Sequence, residues 1–209
     1  MKIVCQPLGP VQANCYIIME NHHALVIDPG DVFPSLESIL KENECQLDAV
    51  LLTHAHFDHI GGVDALLETF QVPVYLNPAE FDFLQDSRLN ASMSFYQRIQ
   101  CHAVASALHT GMQKIGEFDV EVFFTPGHSI GSSVFKIEDC LFTGDTLFQG
   151  SVGRVDLPTG STEQMLESIA FLKTMDDALN VYPGHGPSSK IEYEKRWNPY
   201  FQSSMHSLF

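Results

Sequence analysis

Residues 53–59 read THAHFDH and follow directly on a run of apolar residues. In an extended segment the side chains of residues i and i+2 lie on the same side, so His54 and His56 can reach one ion together. Asp58 and His59 come where the chain turns into the next predicted helix, and they can reach a second ion beside the first. The stretch therefore predicts a chelating cluster at the end of a buried strand.

Three later segments share a local pattern, an apolar strand that ends in a glycine-containing turn with one ligand-type side chain. They are VFFTPGHS with His128, LFTGDT with Asp145 and VYPGHG with His185. Each alone is typical of an ordinary turn, because Asp and Asn form local hydrogen bonds there. Together the four segments place five of the ten histidines at strand ends, where α/β folds gather their binding sites. Buried imidazoles and carboxylates without partners would be costly, so the pattern predicts a metal centre.

The composition limits the domain organisation and the macromolecular partners of the chain. Its 209 residues, 44% of them hydrophobic and 18% charged, predict one domain over residues 1–209. A formal net charge of -15 would repel nucleic acid and anionic membranes at long range. Neither nucleic acid nor membrane is therefore expected as a partner.

The five cysteines predict a reducing compartment. They are odd in number, widely spaced and without a C-x-x-C pair, which favours reduced thiols over a disulfide framework. The first twenty residues lack the basic and apolar regions of a signal peptide, and no later apolar run approaches the ~18 residues of a membrane span. A cytoplasmic protein is expected.

Alternating apolar and amphipathic stretches predict a chain of mixed α and β structure. Strands are expected over residues 2–5, 14–20, 24–28, 49–53, 74–77, 121–125, 133–137 and 140–143. Helices are expected over residues 34–43, 60–70, 162–172 and 189–197. The pattern weakens over residues 87–106, which predicts a surface helix or excursion, with a lid over a pocket as the alternative.

The motif H-x-H-x-D-H at residues 54–59, followed by His128, Asp145 and His185, resembles the metallo-β-lactamase superfamily in order, approximate spacing and flanking residues. The resemblance runs across nearly the whole chain and includes Asp28-Pro29-Gly30 at the third predicted strand. It implies an α+β fold, the αββα sandwich, in which two mixed sheets carry helices on their outer faces. Metal ions are then expected at one edge between the sheets.

The resemblance also implies two divalent metal ions and a ligand set for each. The implied first site is His54, His56 and His128, and the implied second site is Asp58, His59 and His185, with Asp145 bridging. Imidazole and carboxylate ligands suit zinc, and iron or manganese are the alternatives because such sites do not choose sharply among these metals.

The expected reaction follows from such a pair of ions. Two adjacent cations share a hydroxide, which is a nucleophile that needs no Ser, Cys or His base. One ion would polarise the substrate carbonyl while the carboxylate of Asp58 holds and orients the hydroxide. A thiolate leaves without a strong general acid, because its parent thiol has a pKa near ~8.5, whereas an amine needs protonation. A small-molecule thioester is therefore the expected substrate.

The loop over residues 145–160, DTLFQGSVGRVDLPTG, narrows the resemblance to a branch. It is similar to the short, single-domain bacterial relatives of glyoxalase II, which implies a substrate such as S-D-lactoylglutathione. Full-length glyoxalase II carries a C-terminal helical domain that contacts glutathione, and these 209 residues leave no room for it, so the thiol carrier stays open. Within the loop, Arg154 and Asp156 are expected to form a structural ion pair, with substrate contact as the alternative.

Two other functions are weighed against the thioesterase. Persulfide dioxygenases of the superfamily use one iron, on residues that would correspond to His54, His128 and Asp145, but they carry a cysteine where this chain has Val152. A non-catalytic or electron-transfer module is the second alternative, but flavodiiron proteins have a glutamate in the place of His56 and an added flavodoxin domain. The remaining histidines are interpreted as surface or packing residues: His22, His23, His102, His109 and His206.

Overall fold

Two six-stranded β-sheets, sheet one and sheet two, form the centre of the computed structural model, which describes residues 1–95 and 98–202. Sheet one follows the order of the sequence: β1 (Lys2–Leu8), β2 (Ala13–Glu20), β3 (His23–Ile27), β4 (Gln46–Leu51), β5 (Val74–Leu76) and β6 (Ala105–Ala107). The first three strands pair antiparallel, and β3 to β6 pair parallel. The loop that leaves the carboxyl end of β4 carries the first motif.

Sheet two is built from the second half of the chain. Its first strands are β7 (Gly111–Ile115), β8 (Phe118–Phe124), β9 (Ser133–Ile137) and β10 (Cys140–Gly144). Its last strands are β13 (Asn180–Pro183) and β14 (Ser189–Lys190), and the two short strands β11 (Leu147–Phe148) and β12 (Ser151–Val152) lie between β10 and β13 in the sequence. β11 and β12 form a separate hairpin, and the order in sheet two is β14-β13-β10-β9-β8-β7. Only β10 and β13 pair parallel among the described strands of this sheet, so both sheets are mixed.

Helices cover the outer faces of both sheets. The α-helices are α1 (Leu36–Glu42), α2 (Phe57–Ile60), α3 (Val63–Thr69), α4 (Thr162–Leu172), α5 (Ile191–Trp197) and α6 (Pro199–Gln202). Short 3-10 helices cover Pro78–Leu84 and Ser92–Ser94. α1 to α3 bury apolar residues against sheet one, and α4 to α6 do so against sheet two. None of the helices in the described residues has the length and apolar character that crossing a bilayer requires.

The strand β2 shows how the layers are held together. Ile17 and Met19 point into the cluster between sheet one and its helices, whereas Tyr16 and Ile18 point into the cluster between the two sheets. Successive side chains of a strand face opposite sides, so a strand with helices on one face and a sheet on the other is apolar throughout. This layering confirms the αββα architecture that the resemblance implied.

The predicted helix over residues 60–70 is wrong in one respect, because the structure has two helices here. α2 ends at Ile60 and α3 begins at Val63, with Gly61 and Gly62 between them. A Cβ on Gly62 would meet the backbone oxygen of Asp31, and a Cβ on Gly61 would meet that of Gly30. The loop after β3 therefore passes against this break, and only glycine leaves room for it.

Several predicted boundaries also differ from the structure. β4 begins at Gln46 and ends at Leu51, β8 begins at Phe118, and residues 189–190 form β14 ahead of α5. The short strands β6, β7, β11 and β12 were not predicted. Three of these four have only two or three residues, so a period of two cannot be read from them.

The single tryptophan of the sequence, Trp197, ends α5. Its side chain is 59% exposed, and the Arg196 guanidinium lies 4.9 Å from the ring centroid. A cation over an indole face is a modest stabilising contact at an exposed site. The indole therefore lies on the outer surface and outside the core clusters.

Candidate metal centre

The seven predicted ligand residues lie together where four strands end. The first four follow β4, and the others follow β8, β10 and β13: His54, His56, Asp58, His59, His128, Asp145 and His185. They form three overlapping groups in which the ligand atoms lie within 4.8 Å of one another. The residues that motif spacing brings together in the sequence, and the three that are distant from them, thus meet in one cluster.

The first group contains His54, His56 and His128, all buried. Nδ1 of His128 lies 2.8 Å from the backbone oxygen of Arg154, to which a ring N–H donates. In a neutral ring that hydrogen bond leaves the lone pair on Nε2 of His128, and this atom lies 2.8 Å from Nδ1 of His56. In a metal-binding histidine, the ring nitrogen that does not bind the metal usually donates a hydrogen bond, which fixes the tautomer and the orientation of the ring. The group therefore presents converging imidazole nitrogens to one position.

The second group contains Asp58, His59 and His185. Oδ2 of Asp58 lies 3.2 Å from Nε2 of His185. Asp145 lies between the two groups, since its Oδ1 is 3.4 Å from Nε2 of His59 and its Oδ2 is 3.4 Å from Nε2 of His128. A carboxylate in this position can share its two oxygens between two ions.

Buried polar atoms without hydrogen-bond partners show whether these seven side chains fit metal ions. Within the described residues, Nε2 of His54, Nε2 of His59 and Oδ1 of Asp145 are buried and have no hydrogen-bond partner. A buried polar atom without a partner costs free energy, and the ligand bonds of a cation remove that cost. Imidazole nitrogens with carboxylate oxygens are ligands that zinc and iron accept. The residues therefore fit divalent metal ions.

The electrostatics of the centre separate its histidines into two kinds. Burial lowers the pKa of His54 well below its usual range, and the nearby His59 and His56 lower it further. Burial and His128 lower the pKa of His56 to about 3. Burial would also lower the pKa of His59, but the charges of Asp28 and the other carboxylates raise it well above its usual range. His54 and His56 are thus neutral and keep a lone pair for a metal, whereas the carboxylates around His59 make its surroundings favourable for a cation.

Asp28 orients His59, a member of the second group, by a hydrogen bond from the ring nitrogen that faces away from Asp145. Its Oδ2 accepts the Nδ1 hydrogen of His59 at 2.9 Å and the hydroxyl hydrogen of Thr53 at 2.6 Å. Its Oδ1 accepts the backbone N–H of Thr53 at 2.8 Å. The carboxylate thereby sets the tautomer of His59, so that Nε2 faces Asp145. The sequence marked Asp28 as part of the family pattern, but it gave no sign of this contact.

Glu80 is a functional candidate that sequence reasoning missed. Its side chain is completely buried, Oε2 accepts the backbone N–H of Ala55 at 2.5 Å, and Oε1 accepts that of Gly131 at 2.8 Å. One carboxylate therefore connects the loop that carries His54 and His56 to the loop that carries His128. No local signal identifies Glu80, because PAEFDF reads as an ordinary amphipathic turn.

A cleft of about 350 Å³ opens above the centre. Its walls include Phe57 and Phe95, whose ring centroids lie 4.4 Å apart. The stretch 87–106 thus contributes to the cleft wall. That it acts as a lid stays a prediction, and its residues 96–97 lie outside the described part.

The expected ion pair of Arg154 and Asp156 is present, with N–O distances of 2.6 and 2.7 Å. Arg154 also lines the cleft.

The remaining described histidines lie outside the centre. His23 pairs with Asp48 at 2.9 Å, and His102 pairs with Asp64 at 2.9 Å. His22 and His109 are exposed. These positions confirm the interpretation of surface or packing residues for these four, and His206 lies outside the described residues.

The chain has relatives among known protein families and individual proteins. The model of the metallo-β-lactamase superfamily matches residues 8–185. Probable metallo-hydrolase YqgX of Bacillus subtilis (strain 168) is 40% identical over 207 residues, which span 96% of this chain and 97% of that protein. The matched region contains all seven residues of the candidate centre.

Solved structures resemble the chain over nearly its full length. BLEG-1, a B3 metallo-beta-lactamase, superposes with a TM-score of 0.90 at 40% identity and covers 97% of this chain and 100% of its own. TTHA1623 in a di-iron-bound form has a TM-score of 0.85 at 35% identity, with 94% and 99% covered. ETHE1 from Myxococcus xanthus has a TM-score of 0.78 at 26% identity, with 98% and 87% covered.

Proposed function

The chain belongs to the metallo-β-lactamase superfamily and is a metal-dependent hydrolase, and from this premise we propose that it is a dinuclear enzyme that hydrolyses a thioester such as S-D-lactoylglutathione. The observation that carries the proposal is the position of Asp145 between two groups of ligand-type side chains below an open cleft. Zinc is the proposed metal, and the di-iron form of TTHA1623 supports iron as the alternative.

The side chains would divide between two ions as their grouping indicates. His54, His56 and His128 would hold one ion; Asp58, His59 and His185 would hold the other, with Asp145 shared. When bound, such ions polarise a carbonyl oxygen and lower the pKa of water toward neutrality. The chain itself supplies the positions of these groups and their supporting contacts.

Asp58 is the residue proposed to orient the nucleophile. It lines the cleft, and its Oδ2 lies 3.2 Å from Nε2 of His185. Burial would raise the pKa of Asp58, but the charge of His59 and the hydrogen bond with His185 lower it below its usual range. The ionised carboxylate accepts a hydrogen bond from the attacking water and directs its lone pair toward the carbonyl carbon.

The lining of the cleft favours a leaving group that needs no proton. Apart from the seven centre residues, Arg154 is the one polar side chain among the described residues that line it. A guanidinium stays protonated and is a poor general acid. A thiolate leaves without help, whereas an amine does not. The cleft therefore supports a thioester over an amide or a lactam.

Two further activities are suggested by the neighbours. Similarity to BLEG-1 makes lactam hydrolysis a second candidate, and the lack of a general acid in the described cleft argues against it. Similarity to ETHE1, at lower identity, is compatible with the single-iron dioxygenase alternative. Both alternatives use the same cluster of side chains, so measured activity decides among them.

The test is the initial rate of S-D-lactoylglutathione hydrolysis by metal-replete protein, with Asp58→Ala as the control. We expect rapid turnover that falls at least about a hundredfold in the variant while the protein stays folded. Near-normal turnover of Asp58→Ala would contradict the orienting role. One iron per chain with oxygen uptake on glutathione persulfide, and no hydrolysis, would replace the thioesterase with the dioxygenase.

A further inference from the structure

A second cavity adjoins the cleft above the metal centre. It has a volume of about 450 Å³, and it shares Phe57, Asp58 and Phe95 with the cleft. Its other walls include Val32 and Ile99. We refer to this cavity as the apolar lobe. Its size lies within the range of pockets that hold small organic ligands.

The position of the apolar lobe relative to the reacting atoms is fixed by the chain. Phe57 lies between His56 and Asp58 in sequence, so the wall that separates the lobe from the cleft belongs to the motif itself. The ring of Phe95 packs on Phe57 with centroids 4.4 Å apart. Both rings therefore stand where the cleft and the apolar lobe adjoin.

Two large apolar side chains of the apolar lobe are exposed to solvent, and a folded protein rarely exposes several such side chains close together. Val32 is 56% exposed and Phe95 is 46% exposed, and both line the lobe. Isolated exposed apolar residues are ordinary, whereas neighbouring ones beside a catalytic cleft mark a ligand surface. The two side chains come from distant parts of the sequence and line the same cavity.

The charged side chains of the apolar lobe disfavour a negatively charged acyl group. Its charged lining residues are the carboxylates Asp31 and Asp58, and no Lys, Arg or His lines it among the described residues. Because Asp58 would bind a metal ion, Asp31 is the carboxylate that would repel a negatively charged acyl group. Arg154, a cationic side chain of the adjoining cleft outside the metal centre, does not line the lobe.

We propose that the apolar lobe holds the acyl group of the substrate, so that the enzyme prefers thioesters of uncharged, apolar acyl groups longer than lactoyl. The inference rests on the proposed thioesterase function and specifies its substrate class. Each methylene that enters the lobe is expected to raise kcat/KM about fourfold, as the burial of a methylene group implies.

The experiment compares acetyl, butanoyl, hexanoyl and succinyl thioesters of one thiol on metal-replete protein. We expect kcat/KM to rise from acetyl to hexanoyl and to be lower for succinyl than for butanoyl. Val32→Asp should lower the hexanoyl-to-acetyl ratio at least tenfold. The matched control is Val104→Asp, because Val104 is 92% exposed and does not line the lobe, and it should keep the wild-type ratio.

A binding measurement separates failure of this inference from failure of the thioesterase proposal. The neutral fluorophore N-phenyl-1-naphthylamine should bind the metal-replete protein saturably, more weakly to Val32→Asp and unchanged to Val104→Asp. Binding of this kind without hydrolysis of any thioester would overturn the thioesterase and keep the lobe as a ligand site. Hydrolysis with equal kcat/KM for acetyl and hexanoyl, and no saturable binding, would overturn the lobe and keep the thioesterase.

Discussion

Replacing a single side chain is expected to decide whether the centre holds metal, and His56 gives the clearest test. Its Nδ1 lies 2.8 Å from Nε2 of His128, so the two imidazoles face one ion position. His56→Ala is expected to lose about one metal ion per chain together with activity, because one of three imidazoles is replaced by water. Metal content by mass spectrometry and the hydrolysis rate measure both losses. His109→Ala removes an exposed histidine and should change neither; retained stoichiometry in His56→Ala would reject the assignment.

Glu80 offers a second prediction at the scale of one residue. In Glu80→Gln the amide keeps one acceptor oxygen, so one of the contacts to Ala55 and Gly131 is lost. Loss of a contact that orients ligand loops is expected to weaken metal binding about 10- to 100-fold. Competition with a chelator measures this affinity.

Glu194→Gln is the matched control for Glu80→Gln. Glu194 is also completely buried, and its Oε2 accepts the backbone N–H of Gly150 at 2.9 Å, but within the described residues it does not join two ligand-bearing loops to each other. Both variants should lower the free energy of unfolding, and only Glu80→Gln should lower the metal affinity. Equal metal affinities in the two variants would show that Glu80 acts on stability alone.

At the residue scale the sequence predicted the candidate ligand side chains better than it predicted the hydrogen bonds that hold them in position. The seven residues that the sequence and the resemblance singled out lie together, because each stands in a short motif at a strand end, whereas their role as metal ligands stays a prediction. The contacts of Asp28 with His59 and of Glu80 with Ala55 join residues 31 and 25 positions apart. No local pattern encodes such pairs, since they arise only when separate loops pack together.

Among the elements, α2 carries Asp58 and His59 and lies directly against the loop after β3. A Cβ on Gly30 would meet the backbone oxygen of Asp58, so Gly30→Ala must push α2 away from the loop after β3. We expect Gly30→Ala to destabilise the fold by about 1–3 kcal/mol, as overpacking does, and to reduce turnover. Urea unfolding and the hydrolysis rate measure the two effects.

Gly150→Asn is the control for this substitution. Nothing lies within 4 Å of a Cβ at Gly150, whose φ is 70°, and Asn tolerates that backbone conformation. Its stability and turnover should stay near those of the wild type. Equal losses in both glycine variants would show that the approach of Gly30 to α2 has no special role.

Elements were predicted well where their own pattern carries the signal. α4 was predicted over residues 162–172 and spans Thr162–Leu172, because Met165, Ile169 and Leu172 repeat at helical spacing. β6 reads Ala-Ser-Ala, residues with little β preference, and its pairing with β5 alone makes it a strand. Pairing of this kind depends on the assembled sheet and is invisible in the segment itself.

For the whole molecule, the centre connects the two sheets. Four of its residues follow β4 of sheet one, and three follow β8, β10 and β13 of sheet two. The layered architecture itself came from the family resemblance, because periodicity predicted only mixed α and β structure. That residues 1–209 form one domain stays a prediction.

Metal removal is therefore expected to weaken the association of the two sheets. A ligand that binds only the folded state stabilises it by about 2.7 kcal/mol at a concentration of 100 Kd. Chelator treatment should lower the Tm, and added zinc should restore it in a concentration-dependent way, as calorimetry can measure. His56→Ala should show a smaller restoration, and a Tm that does not respond to zinc would argue against metal binding by the folded chain.

The exposure of Trp197 has an optical consequence. The indole is 59% exposed in the folded chain, so it is largely in contact with water both before and after unfolding. Its emission is expected to be red-shifted and open to collisional quenchers in the native state, and to shift little on denaturation. Far-ultraviolet circular dichroism, which reports the backbone of both sheets and the helices, is accordingly the spectroscopic signal that will follow unfolding of this protein.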